Sequence, residues 1–163
     1  MWRGNPFHNK MNLSGTSARR RAILWIPPGL YAGLIFHASS ESDPLPALTA
    51  AVSDKALHII EYAGLAVLLC RALRGEQLRW RASVVLASMM ASAYAASDEC
   101  HQLLVHGRDS DILDWLADTI GAAIGSAVYM SVALAVSSRR PASRRHARSP
   151  ATEYRGSIDE RRL

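Results

Sequence analysis

The chain has 163 residues, 49% of them hydrophobic, and a formal net charge of +5 from 19 Lys and Arg against 14 Asp and Glu. That length is one domain's worth. Two cysteines, Cys70 and Cys100, lie in separate hydrophobic stretches with no CxxC or ligand spacing, which argues against a disulfide framework. A basic balance raises nucleic acid as a partner, and the placement of the charges decides against it. Ala, Leu, Ile, Val and Met dominate from about Ala22 to Val136, while the arginines gather in the tails and one turn.

Residues 1–20 carry Gly, Asn, Ser and Pro without an apolar period and are expected to form a flexible tail. Arg19-Arg20-Arg21 ahead of an apolar run looks like the start of a signal peptide. However, Phe36-His37-Ala38-Ser39-Ser40 offers only a weak cleavage site and more apolar segments follow, so an uncleaved first span is expected. That span covers about 22–38, with Pro27-Pro28 in its first half, where a kink or a late helix start is expected. Glu41 to Ser53 reads as a loop, with Ser53 or Asp54 placed to cap the next helix.

The second span covers about 54–73, and Arg71, Arg74, Arg79 and Arg81 bracket the Gly75-Glu76-Gln77 turn after it. The third, about 80–97, is rich in Ala, Ser and Met, with Met89, Met90 and Tyr94 read as packing residues. Small residues let helix backbones approach closely. The fourth, about 112–136, contains Gly121-Ala122-Ala123-Ile124-Gly125, a GxxxG expected to form a helix-packing face. The membrane domain thus spans 21–138, and 139–163 is a basic tail with Arg139, Arg140, Arg144, Arg145 and Arg148.

The expected fold is all-α: a bundle of four transmembrane helices, each long enough for a hydrocarbon core of roughly 30 Å. All Lys and Arg except Lys55 and Arg108 fall in the N-tail, the second-to-third turn or the C-tail, which share one side only with four spans. The positive-inside rule then puts both termini in the cytoplasm. Most acids fall on the opposite side: Glu41, Asp43, Asp54, Asp98, Glu99, Asp109, Asp111 and Asp114.

The polar groups within the spans point to a site in the outer leaflet. Asp54, His58 and Tyr62 follow at i, i+4 and i+8, with Lys55 and Glu61 alongside, and Asp114 and Asp118 are again four apart. The stretch joining spans three and four adds Asp98, Glu99, His101, Gln102 and Arg108, and His37 ends span one. Asp54 and Asp98 read equally well as solvated helix-end residues, and a lone His58 as a structural histidine. Glu61 and Asp118 resist that reading, because a carboxylate at the bilayer centre costs roughly 2.5–3.5 kcal/mol even on insertion scales. Each needs a proton, a cation or a donor such as His58, His101, Lys55 or Arg108.

Three functions fit those residues. In a ligand-binding pocket, Arg108 and Lys55 would pair a phosphate or carboxylate. In a membrane hydrolase or transferase acting on an envelope lipid, Glu99 or Glu61 would be the base and His101 or His58 the acid. In a scaffold, the buried polar groups only fix helix register. His58, His101, Glu99 and Asp114 are metal-ligand types, but no HExxH or similar register is present, so neither metal nor other cofactor is expected.

Asp54-Lys55-x-x-His58-x-x-x-Tyr62, then Asp98-Glu99-x-His101-Gln102 and Gly107-Arg108, then Asp114 and Gly121-x-x-x-Gly125, resemble the VanZ-like family of bacterial membrane proteins. Phe36-His37-Ala38-Ser39-Ser40 fits the family pattern too, and the likeness runs from about Ile23 to Val136. Two positions depart from it: His106 where the family commonly has proline, and Asp118 where asparagine is frequent. The resemblance implies a multi-pass protein of the bacterial cytoplasmic (inner) membrane, linked to susceptibility to teicoplanin-type glycopeptides. It implies as partners membrane lipids and a lipid-linked envelope precursor or lipophilic glycopeptide.

Overall fold

In a computed structural model, the described residues are 6–41, 52–108 and 110–139, with side chains from Ser17 onward. They form four helices and no strand: α1 (Pro6–Ser39), α2 (Asp54–Gly75), α3 (Trp80–Gln102) and α4 (Ile112–Ser138). Asp43, Asp109 and the C-tail from Arg140 lie outside the described residues.

The helix boundaries follow from local chemistry. Asp111 caps α4 by accepting the Leu113 amide at 2.9 Å, which satisfies one of the free N–H groups at a helix start. Ser53 takes the cap position of α2 without a side-chain bond, and Asp54 sits in the first turn, where negative charge complements the helix dipole.

Two boundaries differ from expectation. α1 begins at Pro6 rather than near Ala22, so helix occupies most of the stretch expected to be flexible. It also runs through Pro27 and Pro28 instead of starting late. Pro27 cannot donate to the Ile23 carbonyl, and the Arg71 guanidinium of α2 donates to that oxygen at 3.5 Å instead. α3 continues past Ser97 through Asp98, Glu99 and Gln102, which therefore sit on a helix rather than in a loop.

Three of the four helices have stretches long and apolar enough to cross a membrane: Ser17–Ser39 of α1, Asp54–Gly75 and Ile112–Ser138. α3 is of similar length, but its serines, Arg81 and its acidic end make it less apolar. Large apolar side chains face outward, among them Leu30, Leu34, Ile60, Met89, Ile120, Ile124, Val128 and Val132. Met89 and Met90 thus lie on the outer face rather than in the packing. Inside are small residues, including Ala66, Cys70, Ala87, Ala91, Ala95 and Ala122, around Tyr62 and Leu65. His58, Asp98, Glu99, Asp114 and Asp118 are buried with them. A water-soluble bundle would keep its charged groups outside; this arrangement suits a lipid surround.

Helices α2 and α4 make the closest contact. A Cβ on Gly121 would strike the Ile59 backbone, and one on Gly125 the Ala63 backbone. The GxxxG face therefore packs directly on α2, as expected. Hydroxyls join α3 to α4: Ser88 donates to Ser126 at 3.0 Å, and Ser92 and Thr119 pair at 2.8 Å. Tyr94 of α3 ties to α1 by donating to the Ala32 carbonyl at 2.7 Å.

Neighbouring helices run antiparallel. At one end Arg20 donates to the Gly75 carbonyl, Arg21 approaches Glu76 at 3.5 Å, and the Arg74 guanidinium lies 3.9 Å from the Trp80 ring centroid. At the other end the C-termini of α1 and α3 meet the N-termini of α2 and α4.

Candidate functional site

Each helix delivers polar side chains to that second end. Asp98 is buried and accepts from Ser39 Oγ at 2.6 Å, from Gln102 Nε2 at 3.4 Å and, weakly, from Tyr62 OH at 3.5 Å. One carboxylate thereby joins α1, α2 and α3. Asp118, 1% exposed, lies 2.9 Å from His58 Nδ1. The other ring nitrogen of His58, Nε2, is 3.8 Å from Asp54 Oδ2.

Lys55 bridges the two N-terminal helix ends, with Nζ 2.6 Å from Asp114 Oδ1 and 3.1 Å from Asp111 Oδ2. The carboxyl of Asp111, just ahead of α4, is held below its ordinary value, chiefly by the Leu113 amide and then by the Lys55 ammonium.

The two cations expected to hold an anion are thus engaged within the protein. Arg108 donates through Nε to the Glu41 carbonyl at 2.8 Å and through Nη2 to the Ala38 carbonyl at 3.2 Å. Both carbonyls lie at or just past the end of α1, where the helix ladder runs out; the Ala38 carbonyl also accepts the Glu41 amide at 3.2 Å. The chain turns back to permit this at Gly107, whose φ of 82° suits glycine.

His101 stacks on Phe36, ring centroids 4.3 Å apart, and lies 3.0 Å from Ser40 Oγ. Ser40 Oγ also lies 2.7 Å from the Phe36 carbonyl, which can only accept; when the hydroxyl hydrogen goes there, the imidazole meets the serine oxygen as a donor.

Glu99 is 7% exposed. Its Oε2 accepts from Ser110 Oγ at 2.9 Å and the Asp111 amide at 3.0 Å, while its Oε1 is buried with no donor among the described residues. On the outward side of Glu99 lies an open cleft of about 350 Å³ lined by Ala96, Glu99, Ser110, Asp111, Ile112 and Trp115. Most of its wall is apolar, and its polar residues Glu99, Ser110 and Asp111 are bonded to one another. The Trp115 indole is fixed by donating to the Ser92 carbonyl at 3.2 Å.

Of the residues expected at the site, Asp54, Lys55, His58, Tyr62, Asp98, Glu99, His101, Gln102, Arg108, Asp114 and Asp118 all lie at this end. Glu61 is half-buried and makes no hydrogen bond among the described residues, and His37 is exposed. Sequence reasoning missed Ser39, Ser40 and Ser110 as partners of Asp98, His101 and Glu99. No period marks a serine just beyond a helix end, although Asp111 ahead of an apolar run is a recognisable cap signal.

Four helices with apolar outer faces and small residues between them, closed at one end by buried acids and their donors, define a membrane-embedded helical bundle with a polar site. A family model described as VanZ/LLP1 matches residues 4–135, and the chain belongs to that family. The match reaches nearly to the start of the chain, beyond the Ile23 boundary of the resemblance, in keeping with the early start of α1. No curated protein and no solved structure matches the chain.

Proposed function

We propose that this is a four-span protein of the bacterial cytoplasmic membrane with both termini in the cytoplasm. In this reading its outer-leaflet cleft binds the polar head of an amphipathic or lipid-linked envelope ligand, and so affects susceptibility to teicoplanin-type glycopeptides. The observation that carries the ligand reading is the cleft beside Glu99. A volume of about 350 Å³ is of ligand size, and its lining combines apolar Ala96, Ile112 and Trp115 with the polar Glu99, Ser110 and Asp111.

The engagement of Lys55 and Arg108 shifts the preferred chemistry of the head group. Lys55 and Arg108 each already give two donors to partners within the protein and keep fewer for an anion, whereas Glu99 and Asp111 favour a head bearing hydrogen-bond donors or positive charge. The four-span topology draws its support from the antiparallel order of the helices and from arginines meeting at the end away from the cluster.

Filling the cleft tests the ligand reading without disturbing the buried cluster. Ala96 is exposed on the cleft wall, so Ala96→Trp is expected to leave the amount of folded protein unchanged. It should abolish retention of the envelope ligand seen by native mass spectrometry, together with any change in glycopeptide susceptibility that expression confers. A wild-type protein that retains no ligand, or a variant that retains it equally, overturns the reading. If the chain is instead only a scaffold, substitutions at His58, Glu99 and His101 should lower abundance and phenotype in parallel.

A further inference from the structure

The acids at the polar end are not evenly compensated. Four carboxylates are buried there: Asp98, Glu99, Asp114 and Asp118. Asp114 has the Lys55 ammonium, Asp118 has His58, and Asp98 has the neutral donors Ser39, Gln102 and Tyr62. Glu99 has its donors on Oε2, and its buried Oε1 has none among the described residues. Leaving a buried carboxylate oxygen unsatisfied is costly unless a proton or cation reaches it.

We propose that His58, Glu99 and Asp118 form a binding site for a first-row divalent cation of the zinc or manganese type. The three residues come from α2, α3 and α4, and one ligand atom from each lies within 4.8 Å of the others. His58 Nδ1 and Asp118 Oδ1 are already 2.9 Å apart. Bonds of about 2.0–2.1 Å in a tetrahedral site place ligand atoms roughly 3.3 Å from one another, so Glu99 would close on the other two by at most about 1.5 Å to seat an ion among them.

The surroundings of two ligands also fit. Metal-binding histidines commonly direct the second ring nitrogen at a carboxylate, and Asp54 Oδ2 lies 3.8 Å from His58 Nε2. Glu99 is anchored through Oε2 by Ser110 and the Asp111 amide, which leaves Oε1 free to ligate.

The donor set selects the kind of ion. One imidazole with two carboxylates suits zinc, iron or manganese, whereas calcium and magnesium prefer all-oxygen shells. The neighbouring trio Asp54, His58 and Asp114 is a weaker candidate, because Asp54 is exposed and Asp114 Oδ1 already holds Lys55. The absence of a sequence register for metal is no obstacle, since the ligands come from three separate helices. This site does not depend on the cleft having a ligand.

The test uses the full chain, tag-free, purified in detergent, stripped with chelator and titrated with Zn²⁺ and with Mn²⁺. Wild type is expected to take up one ion per chain saturably, with imidazole nitrogen coupling in the pulsed EPR spectrum of bound Mn²⁺. Glu99→Gln and Asp118→Asn should each weaken binding at least about tenfold, while Asp114→Asn stays close to wild type. Circular dichroism checks that each variant is folded, and where one is not, the wild-type stoichiometry and EPR spectrum decide. No saturable uptake, no nitrogen coupling, or equal binding by folded Glu99→Gln and Asp118→Asn overturns the proposal. So does a loss on Asp114→Asn as large as theirs.

Discussion

Gly125→Ala is expected to destabilise the bundle by about 2–3 kcal/mol, the upper part of the usual range for overpacking a tight contact. The new methyl would fall on the carbonyl oxygen and Cα of Ala63, which are backbone atoms that no rotamer change can move aside. Helices α2 and α4 would have to separate. Because Lys55–Asp114 and His58–Asp118 join the same two helices, the polar end would loosen with them.

Gly33→Ala is the control. Nothing lies within 4 Å of a Cβ at Gly33, and alanine is the better helix former, so this change should be neutral or slightly stabilising. Unfolding in mixed detergent micelles, followed by circular dichroism, measures both. Equal effects at Gly125 and Gly33 would mean that α2 and α4 do not touch through the GxxxG face.

A second large effect is expected at His58 and Asp118. Removing one partner of a buried ion pair strands the other, at a cost of about 3–5 kcal/mol. His58→Leu and Asp118→Leu should each show it, whereas the double variant should be more stable than either single one. Asp118→Asn should cost less than Asp118→Leu, because the amide keeps a hydrogen-bond partner for His58 Nδ1, where the carboxylate now lies 2.9 Å away, although it removes the counter-charge. The same micelle unfolding, run with chelator so that bound metal does not contribute, gives the coupling. Additive costs would mean that the two side chains do not support one another.

Much of this architecture was legible in the sequence. The apolar runs that became α2 and α4 have span lengths and clear edges, and Gly121 and Gly125 marked the close helix contact. The convergence of Asp54, His58, Asp98, Glu99, Asp114 and Asp118 followed from helical spacing and alternating helix direction.

The failures have physical reasons. Asp98, Glu99 and Gln102 looked like loop because a polarity criterion ends a span at the first acids. Their spacing of i, i+1 and i+4 nevertheless puts them on one helix face. The early start of α1 is signalled only by Pro6, a residue favoured in the first helical turn, against a polar composition that pointed the other way. Arg108 and Lys55 resembled anion receptors because a charge in isolation does not reveal its partner. Their commitment to the end of α1 and to the start of α4 is a tertiary fact.

The account rests on the acid cluster and the arginine end lying on opposite sides of a membrane. His106 is exposed near the cluster and Ser138 is exposed at the far end of α4. Each can carry a single cysteine in a background lacking Cys70 and Cys100. Labelling intact cells with a membrane-impermeant maleimide should modify His106→Cys at once and Ser138→Cys only after the membrane is permeabilised. Modification of both from the same face would contradict the account.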